Sequence, residues 1–585
     1  MKPFLFPTPK SASFTDKTFR VKSVLPTDSL MLFCSAAANS DDIVYLRDDT
    51  LGAEAYRIDI GDGVRVTFAA DTGRFYALTT LFQLTKQYRT ELPCGNVADE
   101  PDFARRGYML DISRGRMPKV GTIKRLIDRL ALLKYNELQL YMESFCFKYS
   151  AYPAYTESID CLTPEDIREL ERYCKAYHID LVPNQNSLGH MGTWLAEPAF
   201  HSLGIGDETT STDTLNPLLP ETAGFLDGLY GSLLPHFSSR YVNVGLDESW
   251  GLGRFQTAAY CKEHGVGTLY RKHLDTVKAL VQDKYGKKMM YWADAVGDYR
   301  IPPETLPKDA IALEWGYDAI QFEKMTAHCI GYAAHGVPFY VCPSCNTHCS
   351  LTGRTDVMLN NIRTAAELGK KYGAVGFLLT DWGDNGHPQF PVWSYVPIAL
   401  GGEYAWNTGE PITGWDFKAE KVRAACAFTD TEIFGGHKIA NDLLRIGNYY
   451  LLETERLLNA TQTNHNLFRT LDTDKVPLKD YEDVYAAEDI IRYAEHYLSR
   501  IAAQPIDNHL KRQIAVNVQM VILASESGII RVRGSAGEDE KKRLAEMIGA
   551  IIDEYTELWD MDNYPKGKEI LIDKLEKKAA ELSAL

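Results

Sequence analysis

At 585 residues the chain is too long for one compact core and should divide into about two to four domains. Its 63 Lys and Arg against 79 Asp and Glu leave a formal net charge of -16. That balance opposes a nucleic-acid backbone or an anionic membrane surface as the main partner and favours a neutral or weakly polar ligand.

The N-terminus, Met1-Lys-Pro-Phe-Leu-Phe-Pro-Thr-Pro-Lys10, carries only a very short apolar stretch broken by prolines, with no cleavage site of the secretory kind. No run approaches the length of a membrane span. The 11 cysteines are odd in number and scattered, which points to reduced thiols and a cytoplasmic location. Residues 1–102 read as a small α+β domain, with alternating strands at Tyr56 to Ile60 and Val64 to Phe68 and helical spacing from Tyr76 to Thr90. The turn formers of Leu92-Pro-Cys-Gly-Asn-Val-Ala-Asp-Glu-Pro101 suggest a crossing into the next domain.

Over residues 103–412 short apolar runs alternate with amphipathic stretches. Strands are expected at Gly107 to Ile112, Glu137 to Tyr141, Asp180 to Pro183, Tyr241 to Leu246, Lys288 to Trp292, Ile311 to Trp315, Pro338 to Cys342 and Val375 to Thr380. Helices are expected between them at Val120 to Leu133, Pro164 to Tyr177, Leu269 to Tyr285 and Thr355 to Tyr372. Eight such alternations match an α/β (β/α)8 TIM barrel in count and length. A doubly wound sheet is the competing reading, but it needs a Gly-rich phosphate turn after its first strand, and Ile112-Ser-Arg-Gly-Arg-Met-Pro118 is not one. Residues 413–585 read as all-helical, with long stretches at Lys438 to Leu458, Val484 to Ile501 and Glu540 to Trp559. This domain shows no chemistry of its own; it could cover one side of the barrel or form a homodimer surface.

A barrel of this type gathers its polar residues at the C-terminal ends of the strands. The expected strands end in Asp111-Ile-Ser-Arg114, Tyr141-Met-Glu143, the loop to His190, Asp247-Glu248, Tyr291-Trp-Ala-Asp294, Glu314-Trp-Gly-Tyr-Asp318 and Asp381-Trp-Gly-Asp-Asn-Gly-His387. Adjacent acids such as Asp247 and Glu248 point in different directions as they leave a strand, so one can move a proton while the other positions a reactant. The competing reading is a solvated helix N-cap. Trp292, Trp315 and Trp382 fall at three strand ends, where indole faces would suit the C–H faces of a sugar ring. Any one of them alone is more often core. Arg114 offers a fork of donors to vicinal hydroxyls or a surface salt bridge; His190 is either structural or an orienter of the acid pair; Asp384 either caps its loop or accepts from a sugar hydroxyl. Cys342-Pro-Ser-Cys-Asn-Thr-His-Cys349 has zinc-ligand residue types, but all within one short loop and without a second pair nearby. The loop reading with reduced thiols is preferred, so no metal and no cofactor are expected.

With these residues in view the chain resembles glycoside hydrolase family 20, the beta-N-acetylhexosaminidases, over roughly residues 1 to 410. The resemblance is carried by Phe75-Tyr-Ala-Leu-Thr-Thr-Leu-Phe-Gln-Leu84, Arg106-Gly-Tyr-Met-Leu-Asp-Ile-Ser-Arg114, Val244-Gly-Leu-Asp-Glu248 and the strand-end tryptophans. The helical C-terminal domain looks like that of a bacterial exo-acting subgroup, some members of which are dimeric through it. The resemblance implies release of terminal beta-linked GlcNAc or GalNAc from a glycan by a retaining mechanism in which the substrate's own 2-acetamido oxygen is the nucleophile and an oxazolinium forms. It implies Glu248 as acid and base and Asp247 as the partner of the acetamido group. It further implies Arg114 and Asp384 on the distal hydroxyls and Trp292, Trp315 and Trp382 around the ring. His190 matches the family's loop histidine, and Glu143 stands where the family more often has Asp. Tyr340 in Tyr340-Val-Cys342 is the nearest match to the acetamido-binding tyrosine, with Cys in place of the family's Asp. Two other readings stay open: a two-carboxylate glycosidase pairing Asp247 or Glu248 with Glu314, and a carbohydrate-binding barrel without catalysis.

Overall fold

The structure is a computed structural model and describes residues 3–22, 27–207, 210–409, 419–468 and 481–584. The expected boundary at residues 412 and 413 lies outside the described residues. The chain begins with a five-stranded sheet made of β1 (Ser11–Arg20), β2 (Ile43–Arg47), β3 (Tyr56–Ile60), β4 (Val64–Phe68) and β5 (Glu91–Asp99), in the order β1-β5-β3-β4-β2. Helix Asp71–Tyr88 packs on it. The segment from Leu92 is therefore not the crossing expected from its turn formers. It pairs antiparallel with both β1 and β3, and Gly95 fits because a Cβ there would stand 2.1 Å from the Ser13 carbonyl oxygen. Two-sided pairing outweighs the local composition.

The barrel follows. Its strands are β6 (Arg105–Asp111), β7 (Glu137–Met142), β8 (Asp180–Gln185), then, after a small hairpin of β9 (Gly204–Gly206) and β10 (Ser211–Leu215), β11 (Tyr241–Asn243), β12 (Lys288–Trp292), β13 (Ile311–Trp315), β14 (Phe339–Cys342) and β15 (Gly376–Asp381). β6–β8 and β11–β15 are all parallel and close into a ring in which β15 pairs with β6. Strands buried on both faces explain the apolar runs. The helices between them behave as their patterns predict. Helix Pro164–Ala176 starts with a capping box between Thr163 and Asp166 and has proline in its first turn, and helix Thr355–Tyr372 stops where Gly373 turns left-handed at φ 73°. The barrel interior is layered. At its N-terminal floor Arg105 pairs with Glu137 and Asp180; above, Gln139 Oε1 accepts from Asn184 and Asn243, each at 3.0 Å; above that lie the aromatic residues of the site.

The described residues from 419 onward are mostly helical and pack against the C-terminal face of the barrel. Its core is continuous with barrel-loop residues such as Leu351, Phe390 and Trp393, and Asn517 holds the 388–393 segment with three hydrogen bonds. The expected helix from Lys438 to Leu458 is divided into Ala440–Ile446 and a turn of 3-10 helix at Tyr449–Leu452. Helix Asn508–Arg533, by length and composition, is apolar enough to cross a membrane, contrary to the expectation that no run approaches that length; its apolar window is 78% buried inside the bundle, which accounts for that composition.

Candidate active site

The acid pair is set by backbone geometry rather than by a strand end. β11 stops at Asn243, three residues earlier than expected, because Gly245 and Leu246 take φ values of 72° and 78°. Only glycine fits at 245, where a Cβ would stand 1.6 Å from Asn186 Oδ1. Glu248 is itself left-handed at φ 46°, and strain of this kind collects where side chains must be aimed. The outcome is an asymmetric pair. The Asp247 side chain is 9% exposed, and its Oδ1 is buried without a hydrogen-bond partner; the Glu248 side chain is 37% exposed and reaches into open space. His190 Nε2 stands 3.2 Å from Asp247 Oδ2 and 3.3 Å from Glu248 Oε2. Burial disfavours charge on this ring, but the two carboxylates prevail and hold its pKa well above the ordinary imidazole range. The close approach of its loop depends on Gly189, whose Cβ would fall 2.3 Å from the Asp247 carbonyl oxygen.

Arg114 closes one end of the pocket. Its guanidinium lies over the Tyr141 and Trp382 rings at 5.0 and 5.1 Å and bridges Asp111 (3.2 Å), Glu143 (3.0 Å) and Asp384 (3.4 Å). Burial pushes the Glu143 carboxyl upward against the pull of Arg114. Trp292 and Trp382 meet at a centroid distance of 5.8 Å, and Trp315 lies tilted beside Tyr317 at 5.2 Å. These residues, with Asp247, Glu248 and His190, line one pocket of about 690 Å³. Tyr340 is not among them. It sits near the start of β14, against Gly376 at the start of β15, and its hydroxyl donates to Glu137 at 3.1 Å and accepts from Arg105 at 3.3 Å on the barrel floor. The tyrosine at the pocket is Tyr317, two residues past β13, whose hydroxyl accepts from Trp382 Nε1 at 2.6 Å. Glu314, the alternative second carboxylate, points away from the pocket and is held by Tyr332 (2.9 Å) and His328 (2.8 Å) on a covering helix.

Two family models match: "Glycosyl hydrolase family 20, catalytic domain" over residues 103–346 and "Glycosyl hydrolase family 20, domain 2" over residues 27–100. Together they span more than half of the chain. The chain belongs to glycoside hydrolase family 20. Curated relatives include a beta-hexosaminidase of Akkermansia muciniphila, 25% identical over 291 residues that make up 44% of this chain and 59% of the relative. A lacto-N-biosidase of Bifidobacterium bifidum is 27% identical over 280 residues, covering 46% of this chain and 24% of the relative. The matched region thus spans less than two thirds of either relative. Among solved structures, a beta-N-acetylhexosaminidase from Bacteroides fragilis matches with a TM-score of 0.59 and 22% identity over 74% of this chain and 96% of that one. A chitobiase from Flavobacterium johnsoniae matches with a TM-score of 0.60 and 16% identity over 98% and 100%, so the likeness in fold extends through the helical domain.

In this family 20 protein the pocket contains residues that sequence reasoning did not select. Tyr317, His348 and Cys349 line it, and from the helical domain come Leu458, Asn459 and Lys574. Asp318 ties the 458–460 turn to the barrel: it pairs with Arg354 at 2.9 Å and accepts the Asn459 N–H at 3.0 Å. The signal for Tyr317 was present in Glu314-Trp-Gly-Tyr-Asp318. Among the described residues no cluster of three His, Cys, Asp or Glu side chains is placed to hold a metal, and all eleven cysteines are free thiols.

Asp294, at the end of β12, is the acid pair's buried neighbour. Its Oδ2 accepts the strained Glu248 N–H at 3.0 Å, and its Oδ1 has no partner. Burial, and then the charge of Asp247, holds its pKa above the usual carboxylate range. The sign follows. The retained proton favours the native state most at acid pH, and this contribution fades as pH rises from the unfolded-state value through the raised native one, where a second charge appears beside Asp247. Asp294→Asn, a permanently neutral mimic, is therefore expected to stay active and to move the alkaline limb of kcat/KM upward by about one pH unit or more. An unmoved alkaline limb would count against this role for Asp294.

Proposed function

We propose that this family 20 chain is an exo-acting beta-N-acetylhexosaminidase that releases a terminal beta-linked N-acetylglucosamine or N-acetylgalactosamine from a glycan by substrate-assisted retaining hydrolysis. The observation that carries this reading is the asymmetry of the acid pair, with Asp247 buried and Glu248 open to one tryptophan-lined pocket, while Glu314 faces away. In this reading Glu248 donates a proton to the glycosidic oxygen as the C1–O bond breaks. The acetamido carbonyl oxygen of the same sugar attacks C1 and closes an oxazolinium ring, and Asp247, through its unpartnered Oδ1, accepts the acetamido N–H while its charge offsets the developing positive charge. Tyr317, anchored by Trp382, stands beside this group, in the role the resemblance had placed on Tyr340. The leaving group departs and Glu248, now ionised, takes a proton from the water that opens the ring, so configuration is retained.

Exo action is supported by the end of the pocket, where Arg114 bridges Glu143 and Asp384 and leaves those groups for the distal hydroxyls of one terminal sugar. Eleven free thiols support the cytoplasm as its compartment. The test is a thiazoline mimic of the oxazolinium. It should bind about a hundredfold or more tighter than the free sugar, as an intermediate mimic does. Asp247→Asn should remove most of that advantage. Equal affinity for thiazoline and sugar would contradict the mechanism.

A further inference from the structure

The helical domain contributes a cation to the sugar pocket. Lys574, on helix Glu569–Ala584, lines it, with its ammonium donating to the Asn385 carbonyl at 2.9 Å and lying 4.9 Å from the centre of the Phe468 ring. Several buried or part-buried lysines of this chain are closely satisfied: Lys134 pairs with Asp99, Lys421 with Glu403 and Lys86 with Glu432, while Lys148 is held by three carbonyls and Lys287 by two. Lys574 forms no ion pair among the described residues and spends one donor on one carbonyl. Burial pulls its pKa down, and the Cys349 thiol that opposes this is itself pushed up to about 12 by burial and so is neutral near pH 7. A half-buried ammonium with donors to spare and no paired carboxylate is suited to bind an anion.

The pocket's acids are, in contrast, compensated. Arg114 bridges Glu143 and Asp384, and His190 bridges Asp247 and Glu248. The uncompensated positive charge stands against Asn385, next to Asp384, at the end proposed above for the distal hydroxyls. The exocyclic C6 arm is the part of a hexose that reaches beyond the ring at that end. We infer that Lys574 recognises a tetrahedral anionic ester, sulfate or phosphate, on C6 of the terminal N-acetylhexosamine, so that the helical domain sets the enzyme's selectivity for charged sugars. This rests on the activity proposed above.

The experiment combines calorimetric binding of N-acetylglucosamine, its 6-sulfate and its 6-phosphate with kcat/KM for the neutral and 6-sulfated 4-nitrophenyl glycosides. The proteins are wild type, Lys574→Met and Lys574→Arg. Wild type is expected to bind at least one 6-ester more tightly than the neutral sugar, and Lys574→Met to lower the ester-to-neutral ratio about ten- to hundredfold, the range of one charge-assisted hydrogen bond. Lys574→Arg should keep most of the ratio, which separates lost charge from lost packing. The two ester arms identify which anion is preferred. Binding and turnover of the neutral sugar with exclusion of both esters, or a ratio unchanged in Lys574→Met, would overturn the inference while leaving the activity standing. No binding of any acetamido sugar would overturn both.

Discussion

Glu248→Gln is expected to lower kcat for a 2-acetamido aryl glycoside by about a hundred- to ten-thousandfold, the range of a positioned acid and base. The amide keeps the shape of the side chain and can neither give nor take the proton. Folding should be nearly untouched, because the side chain is 37% exposed and His190 keeps its contact with Asp247. The loss should also depend on the leaving group. A 4-nitrophenolate departs with little acid assistance, so the deficit shifts to the water step, and an added anionic nucleophile such as azide, which needs no base, should restore part of the turnover. Retention of more than about a tenth of the wild-type rate on a poorly activated natural linkage would remove Glu248 from the acid–base role.

Much of this site was legible in the sequence because strand order and polar placement are linked in a barrel. All eight expected parallel strands are present, and Arg114, Glu143, His190, Asp247, Glu248, Trp292, Trp315, Trp382 and Asp384 line a single pocket. Each lies at or just beyond a strand's C-terminal end, where a short apolar run gives way to polar residues. Tyr340 failed for a reason that pattern alone does not show. Position along a strand decides whether an inward side chain meets the floor or the mouth, and Tyr340, paired through β14 with the first residue of β15, meets the floor. The path of the chain through Gly245 and Leu246 was equally hidden, since it depends on an asparagine from β8's loop that excludes any Cβ. Lys574 could not be foreseen at all. On its helix it follows the ordinary pattern of a solvated face, and only docking of that helix onto the barrel brings it to Asn385.

The same docking accounts for the architecture as a working unit. A bare barrel would leave the pocket mouth open beside Trp315 and Asn385, whereas here the 458–460 turn and helix Glu569–Ala584 form its wall. Asp318, itself held by Arg354, fixes the 458–460 turn to the barrel, and Asn517 on helix Asn508–Arg533 fixes the 388–393 barrel loop; such buried or part-buried polar contacts are costly to leave unsatisfied and therefore specify one docking geometry.

If the substrate supplies its own nucleophile, 4-nitrophenyl 2-acetamido-2-deoxy-beta-glucoside and the plain 4-nitrophenyl beta-glucoside must differ sharply as substrates. An intramolecular group held against the reacting carbon has an effective molarity of about 10⁵ M or more, so removing the acetamido group should lower kcat/KM by at least about ten-thousandfold. Comparable turnover of the two sugars would contradict the account and require a carboxylate of the protein as nucleophile.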